Sequence, residues 1–193
     1  MAGKKVVGVL ALQGAFREHI KALEMLGIQS KLIKNNKDLE GIDGIILPGG
    51  ESTSMGKMLM DFNMLGILAD KITNGLPAWG TCAGMILLAK KINGDDNAHL
   101  KVMDIDVERN AYGRQIDSFV TNKIIPKISS TELPLVFIRA PYINNVGIGV
   151  EVLCKIDGNV VAAKEENMLA TSFHPELTED LTFHRYFIDM IYS

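Results

Sequence analysis

Val6–Leu12 (VVGVLAL) is apolar throughout rather than alternating, the pattern of a strand buried on both faces. Ala15–Leu26 follows with Phe16, Ile20 and Leu23 spaced i, i+4, i+7, which predicts an amphipathic helix, and Gly27 stands where a C-terminal cap belongs. Ser30–Ile33 and Gly44–Leu47 predict two more strands, the second ended by Pro48-Gly49-Gly50. Helices are expected over Ser54–Phe62 and Leu65–Asn74, a strand over Pro77–Gly80 and a helix over Ala83–Lys90. This alternation predicts a parallel sheet with helices on both faces. The second half reads differently: Val102–Val107, Ser118–Thr121, Leu135–Ile138, Val150–Ile156, Val160–Lys164 and Leu169–Phe173 are expected strands with short links. Asp180–Tyr192 is a closing helix with Phe183, Phe187, Met190 and Ile191 on one face. No linker rich in Pro, Gly or Ser and no internal repeat divides the chain, so residues 1–193 read as one domain.

Composition narrows the classes. The chain has 193 residues, 47% hydrophobic and 22% charged, which excludes a disordered polypeptide. A chain of this length buries about 70% of its unfolded surface and needs no staples. Net charge is −3, and the longest basic runs are Lys4-Lys5 and Lys90-Lys91, so nothing points to nucleic acid. Cys82 and Cys154 are far apart and lack CxxC spacing, which gives neither a disulfide framework nor a metal cluster, and no metal or cofactor is expected. The apolar run Val6–Leu12 is too short for a membrane span and no signal-peptide pattern follows it. The expected compartment is cytoplasmic.

Four windows can carry chemistry. Gly80-Thr81-Cys82-Ala83-Gly84 puts a cysteine between a strand end and a helix start, the geometry of a nucleophile elbow. The positive end of the helix dipole lies there, and the Ala83 N–H is available to an oxyanion. By itself the window is equally consistent with a buried structural cysteine. Ser172-Phe173-His174-Pro175-Glu176 follows an expected strand. In an extended chain His174 and Glu176 face the same way, so the carboxylate can orient the imidazole. Alone, this is also an ordinary surface loop. Together the two windows supply what nucleophilic cysteine catalysis requires.

Pro48-Gly49-Gly50-Glu51-Ser52-Thr53-Ser54 places two glycines at a strand's carboxyl end, where α/β sheets bind ligands, with Ser52, Thr53 or Ser54 able to cap the next helix. It does not match a phosphate-binding loop. Arg109, Arg114 and Arg139 are isolated cations, the last directly after an apolar strand. A guanidinium there suits a carboxylate, and without further information a structural ion pair is the commoner role. Cys154, His19, His99 and His184 read as core or solitary residues.

Taken together, six windows resemble the class I, triad-type glutamine amidotransferases, and among them the branch that forms the glutaminase subunit of two-component pyridoxal 5′-phosphate synthases. The windows are Leu10–Ala15 (LALQGA), Pro48–Thr53 (PGGEST), Gly80–Gly84 (GTCAG), Arg109–Gln115 (RNAYGRQ), Phe137–Pro141 (FIRAP) and Ser172–Thr178 (SFHPELT). They span nearly the whole chain in matching order. The resemblance implies a three-layer α/β sandwich around a mostly parallel central sheet, flavodoxin-like. It implies Cys82 as nucleophile, His174 as base, Glu176 as its orienter, and Gly50 and Ala83 as oxyanion donors. Gly50, Glu51, Ser52, Arg109, Ile138 and Arg139 would hold L-glutamine, and Gln13 would lie at the interface with the synthase subunit. Ammonia released from glutamine would pass to that partner, which combines it with ribose 5-phosphate and glyceraldehyde 3-phosphate. Ser54-Met55-Gly56-Lys57 departs from the family, which often has Thr and basic residues there, and this leaves the start of the following helix open. A glutaminase serving another synthase, a regulatory module without activity and a cysteine peptidase are the competing readings. The arginine windows weigh against the first, the intact triad residues against the second, and the number of matching windows against the third.

Overall fold

The computed structural model describes residues 5–109 and 118–193. The first half alternates as the apolar pattern predicts: β1 (Val6–Leu10), α1 (Phe16–Met25), β2 (Gln29–Ile33), β3 (Gly44–Leu47), α2 (Ser52–Asp61), α3 (Leu65–Thr73), β4 (Ala78–Thr81) and α4 (Ala83–Leu88). The second half contains β5 (Ala89–Ile92), β6 (Met103–Glu108), β7 (Ser118–Ile125), β8 (Ser129–Ile138), β9 (Tyr142–Val146), β10 (Glu151–Ile156), β11 (Asn159–Glu165) and β12 (Met168–Thr171), and closes on α5 (Thr182–Tyr192). β1 pairs in parallel with β2 and β3, β3 with β4, and β4 with β12. The order β2-β1-β3-β4-β12 is flavodoxin-like, its last strand supplied by the far end of the chain. Beyond β12 the sheet turns antiparallel through β11, β9 and β6, with β10 on β11, and β5 parallel to β6. β7 and β8 form a separate antiparallel ribbon.

Alternate residues of the central strands face opposite layers. Ile45 and Leu47 of β3 join α2, α3 and α4 residues such as Met55, Leu59, Leu68 and Met85 on one side. Ile46, with Val7 and Val9 of β1, meets Leu23 of α1 and Phe183 and Phe187 of α5 on the other. The ribbon lays Leu133, Leu135 and Phe137 on that second layer. The uniformly apolar strands are thus those covered twice, and β3, β4 and β12 are buried at every position.

Several boundaries differ from the sequence expectation. The expected helix Ala83–Lys90 ends at Leu88, because Ala89 turns extended and starts β5 against β6. β9 escapes the apolar pattern because Asn144 and Asn145 interrupt it. β8 begins well before Leu135 and runs through Pro134, which a two-stranded ribbon tolerates and a central strand does not. α2 starts at Ser52 rather than Ser54, and its cap is Glu51 rather than a hydroxyl residue: the carboxylate accepts from Thr53 N–H at 3.0 Å and Ser54 N–H at 2.7 Å.

Candidate active site

Four loops leave the carboxyl ends of β1, β3, β4 and β12 and meet in one cleft of 680 Å³, lined among others by Gln13, Gly50, Cys82, Arg109, Arg139 and His174. The cleft lies over the carboxyl ends of β1, β3 and β4 and of β12 beside them.

Cys82 links β4 to α4 with φ 49° and ψ −104°, a strained conformation for a residue with a side chain. Its backbone N–H is held by Thr171 O of β12 at 2.8 Å. The flanking glycines are there for close packing. A Cβ at Gly80 would stand 2.4 Å from the Gly84 carbonyl, and one at Gly84 would stand 1.9 Å from Leu47 O. The absence of both side chains lets α4 lie directly against β3 and β4, which holds the turn carrying Cys82 in place. The thiol is 7% exposed, with its sulfur 4.0 Å from Ile138 O.

His174 follows β12, its N–H donating to Val136 O at 2.8 Å. Its Nδ1 lies 2.8 Å from Glu176 Oε1, which leaves Nε2 for Cys82. Burial works against the imidazolium, but hydrogen bonds to Cys82 and Glu176 overrule it and raise His174 to about 10. Glu176 is not on an extended chain as expected. Pro175–Leu177 is a 3₁₀ turn with Pro175 at its start, and this turn brings the carboxylate under the ring. Burial pushes the Glu176 carboxyl up, while His19 and His174 hold it below the usual carboxylate range.

The Gly49-Gly50 loop closes the opposite wall. Gly49 O accepts from Ala15 N–H at 2.9 Å, and Glu51 N–H donates to the Gln13 side-chain oxygen at 2.9 Å. Gln13 therefore braces this loop from inside the cleft. Hydrogen bonds, first from Ser54, hold Glu51 below the usual carboxylate range.

A model of the SNO glutamine amidotransferase family matches residues 9–193. The chain belongs to that family. Among curated relatives of this family, the pyridoxal 5′-phosphate synthase subunit PdxT of Clostridium kluyveri is 60% identical over 182 residues, which cover 94% of this chain and 97% of that protein. The PdxT subunit of Ruminiclostridium cellulolyticum is 54% identical over 188 residues, covering 97% of this chain and 100% of that one. A solved glutamine amidotransferase superposes with a TM-score of 0.92 at 44% identity, covering 97% of this chain and 99% of the other. A putative GMP synthase subunit of Thermoplasma acidophilum shares the fold at a TM-score of 0.74 and 18% identity, over 100% of this chain and 96% of that one.

For a glutamine amidotransferase, the remaining expected residues are distributed as follows. Gly50, Glu51, Ser52, Ala83, Arg109, Ile138 and Arg139 all border the cleft. Arg109 also pairs with Asp95 at 2.7 Å and reaches Thr53 Oγ1 at 3.2 Å. Arg139 sits at φ 44°, turned out of β8. Arg114 and most of its window lie outside the described residues. Among the described residues no group of three His, Cys, Asp or Glu side chains could hold a metal ion, and no helix is long and apolar enough to cross a membrane.

Sequence reasoning passed over His19 and His184. Both are fully buried, and His19 Nε2 lies 3.5 Å from Glu176 Oε2. A signal existed: each histidine interrupts the apolar face of its helix, His19 between Phe16 and Ile20, and His184 beside Phe183 and Phe187.

Proposed function

We propose that this chain is the glutaminase subunit of a pyridoxal 5′-phosphate synthase, working in the cytoplasm as a single domain and feeding ammonia to a synthase subunit. The observation that carries the reading is the line Cys82, His174, Glu176 at the ends of neighbouring strands β4 and β12, inside a member of the glutamine amidotransferase family. The partner reading rests on relatives at 52–60% identity that are named as subunits of that synthase. Two free cysteines, one of them the nucleophile, suit a reducing compartment.

The geometry supports the following chemistry. The Cys82 thiolate, paired with the His174 imidazolium, attacks the side-chain carboxamide carbon of L-glutamine. The carbonyl oxygen becomes an oxyanion facing the backbone N–H groups of Gly50 and Ala83. His174 gives its Nε2 proton to the departing nitrogen, the C–N bond breaks, and ammonia leaves a glutamyl thioester on Cys82. Water then attacks the thioester, giving its proton to His174, and glutamate departs as the C–S bond breaks. Glu176 keeps His174 in the Nδ1–H tautomer throughout and stabilises its positive charge. Glu51, Ser52, Arg109, the Ile138 carbonyl and Arg139 surround the α-amino and α-carboxylate groups of glutamine, and Gln13 lies toward the partner.

The test is glutamate release from glutamine by this subunit alone and with the synthase subunit, with Cys82→Ala as the blank. Activity that rises with the partner and vanishes in Cys82→Ala is expected. Activity indifferent to that partner would keep the triad and remove the synthase assignment. A bound but inactive complex would leave a regulatory subunit.

A further inference from the structure

Behind Glu176 a mostly apolar layer contains a group of buried polar side chains, not counting Thr171, whose hydroxyl accepts from Trp79 Nε1 at 3.1 Å. His19 of α1, His184 of α5 and Thr81 of β4 are each 0% exposed. Trp79 packs edge-on against both imidazoles, with ring centroids 5.6 and 5.0 Å apart. His19 Nδ1 lies 3.0 Å from His184 Nε2, and His19 Nε2 lies 3.3 Å from Thr81 Oγ1 and 3.5 Å from Glu176 Oε2. Glu176 Oε2 is buried and has no hydrogen bond of ordinary geometry among the described residues, and the same holds for His184 Nδ1.

One proton arrangement fits these contacts. A carboxylate only accepts, so a bare His19 Nε2 facing Oε2 in a dry core would be repelled. Nε2 therefore carries the hydrogen, shared between the Thr81 and Glu176 oxygens. His19 Nδ1 is then an acceptor, and His184 Nε2 must donate to it. The atom left over is the His184 Nδ1 lone pair, and an unpaired acceptor is tolerated better than a buried N–H without a partner. Both rings are neutral: burial lowers His19 despite Glu176, and burial together with His19 lowers His184 to about 3.

We propose that His19 is a positioning residue of the glutaminase reaction, its Nε2–H holding the outer oxygen of Glu176 while His184 locks the His19 tautomer that can donate. This rests on the triad reading given above. Oε1 serves His174, so without His19 the carboxylate would be anchored at one oxygen only and free to rotate from the ring. A neutral donor also suits the task. It favours the ionised carboxylate without the full charge that would compete with the imidazolium. The groups bearing on Glu176 are His174 with Cys82 beyond it, His19 with Glu18 behind it, and His184. The Glu176 backbone N–H also favours the charged carboxylate, and His174 at 2.8 Å and His19 at 3.5 Å reach it from other elements.

The experiment compares His19→Leu, His19→Gln and Cys82→Ala in complex with the synthase subunit. In His19→Leu, kcat for glutamate release is expected to fall about 10- to 100-fold, the size of losing a hydrogen bond to a charged group. KM should stay within about twofold. The acid limb of the kcat profile should move to higher pH, because Glu176 loses a group that favours its charged form. His19→Gln, whose amide restores a donor, should recover most of both effects. Unchanged kcat and acid limb in His19→Leu, with Cys82→Ala inactive, would reduce His19 to packing. Full activity in Cys82→Ala would instead overturn the triad reading itself. A second measurement needs no variant: side-chain ¹⁵N NMR of the histidines in the unmutated protein should show His19 as a neutral Nε2–H tautomer. An Nδ1–H or charged His19 overturns the proposal even if His19→Leu does not fold.

Discussion

Gly49 leaves the space that the His174 imidazole occupies: a Cβ at Gly49 would stand 2.3 Å from His174 Cε1 and 2.8 Å from Nδ1. Gly49 does not have a positive φ, so an alanine is conformationally admissible and the cost falls on the imidazole. Displacing the ring by about 1 Å costs on the order of 100-fold in rate. Gly49→Ala is therefore expected to fold at an overpacking cost of about 1–3 kcal/mol and to lose about 100-fold in kcat. Comparison of unfolding midpoint and turnover checks this, and unimpaired turnover would show that the ring has slack to move.

The proposed triad also couples stability to pH. His174 is raised to about 10, so the stability from its partners is complete below its ordinary value of 6.5 and is lost as pH rises through about 10. Glu176 is lowered, so its contribution is present above its ordinary value of 4.5 and is lost as pH falls through its folded value. Between pH 7 and 10 the thermal midpoint of the native protein should drop more steeply than that of His174→Asn. Parallel curves for the two proteins would contradict a charged His174.

Cys82 and Cys154 are equally hidden, at 7% and 8% exposed, so their relative reactivity reports chemical setting rather than access. Burial pushes the Cys154 thiol up, whereas Cys82 lies against the imidazolium. Iodoacetamide at neutral pH should modify Cys82 first, and His174→Asn should remove its advantage. Peptide mapping reads the ratio, and equal labelling of the two thiols in the native protein would count against the nucleophile assignment.

Asp95 holds Arg109 at the cleft rim through a 2.7 Å pair that is partly exposed. Exposed ion pairs of this kind are modest, and Asp95→Ala is expected to raise KM for glutamine about two- to fivefold while kcat holds. A fall in kcat at constant KM would place Arg109 in the chemical step instead.

Gly56 reverses the usual helix rule. Replacing a helical glycine by alanine gains up to about 1 kcal/mol, but a Cβ here would lie 2.0 Å from His99 Nδ1. Overpacking costs about 1–3 kcal/mol, so Gly56→Ala should be destabilising, and adding His99→Ala should restore most of the loss. Urea midpoints of the two single variants and the double variant close the cycle, and simple additivity would exclude the clash.

The apolar runs at Val6–Leu12, Gly44–Leu47 and Leu169–Phe173 mark the doubly covered strands because continuous burial needs continuous apolarity. Gly80–Gly84 was legible because its spacing reflects a local backbone demand, an elbow between strand and helix. His174 and Glu176 were legible as a pair, but the extended chain expected to align them is a 3₁₀ turn started by Pro175. β9 and the first half of β8 were not legible, since Asn144, Asn145 and Pro134 are accommodated by pairing partners distant in sequence. The family was thus legible in the sequence alone, as was the proposal of Cys82, His174 and Glu176 as a triad. Only the tertiary structure decided that Gly49 makes room for His174, that Glu51 caps α2, and that His19 and His184 stand behind Glu176. Each of these depends on contact between segments far apart in the chain, and a periodic pattern along one segment carries no information about what faces it.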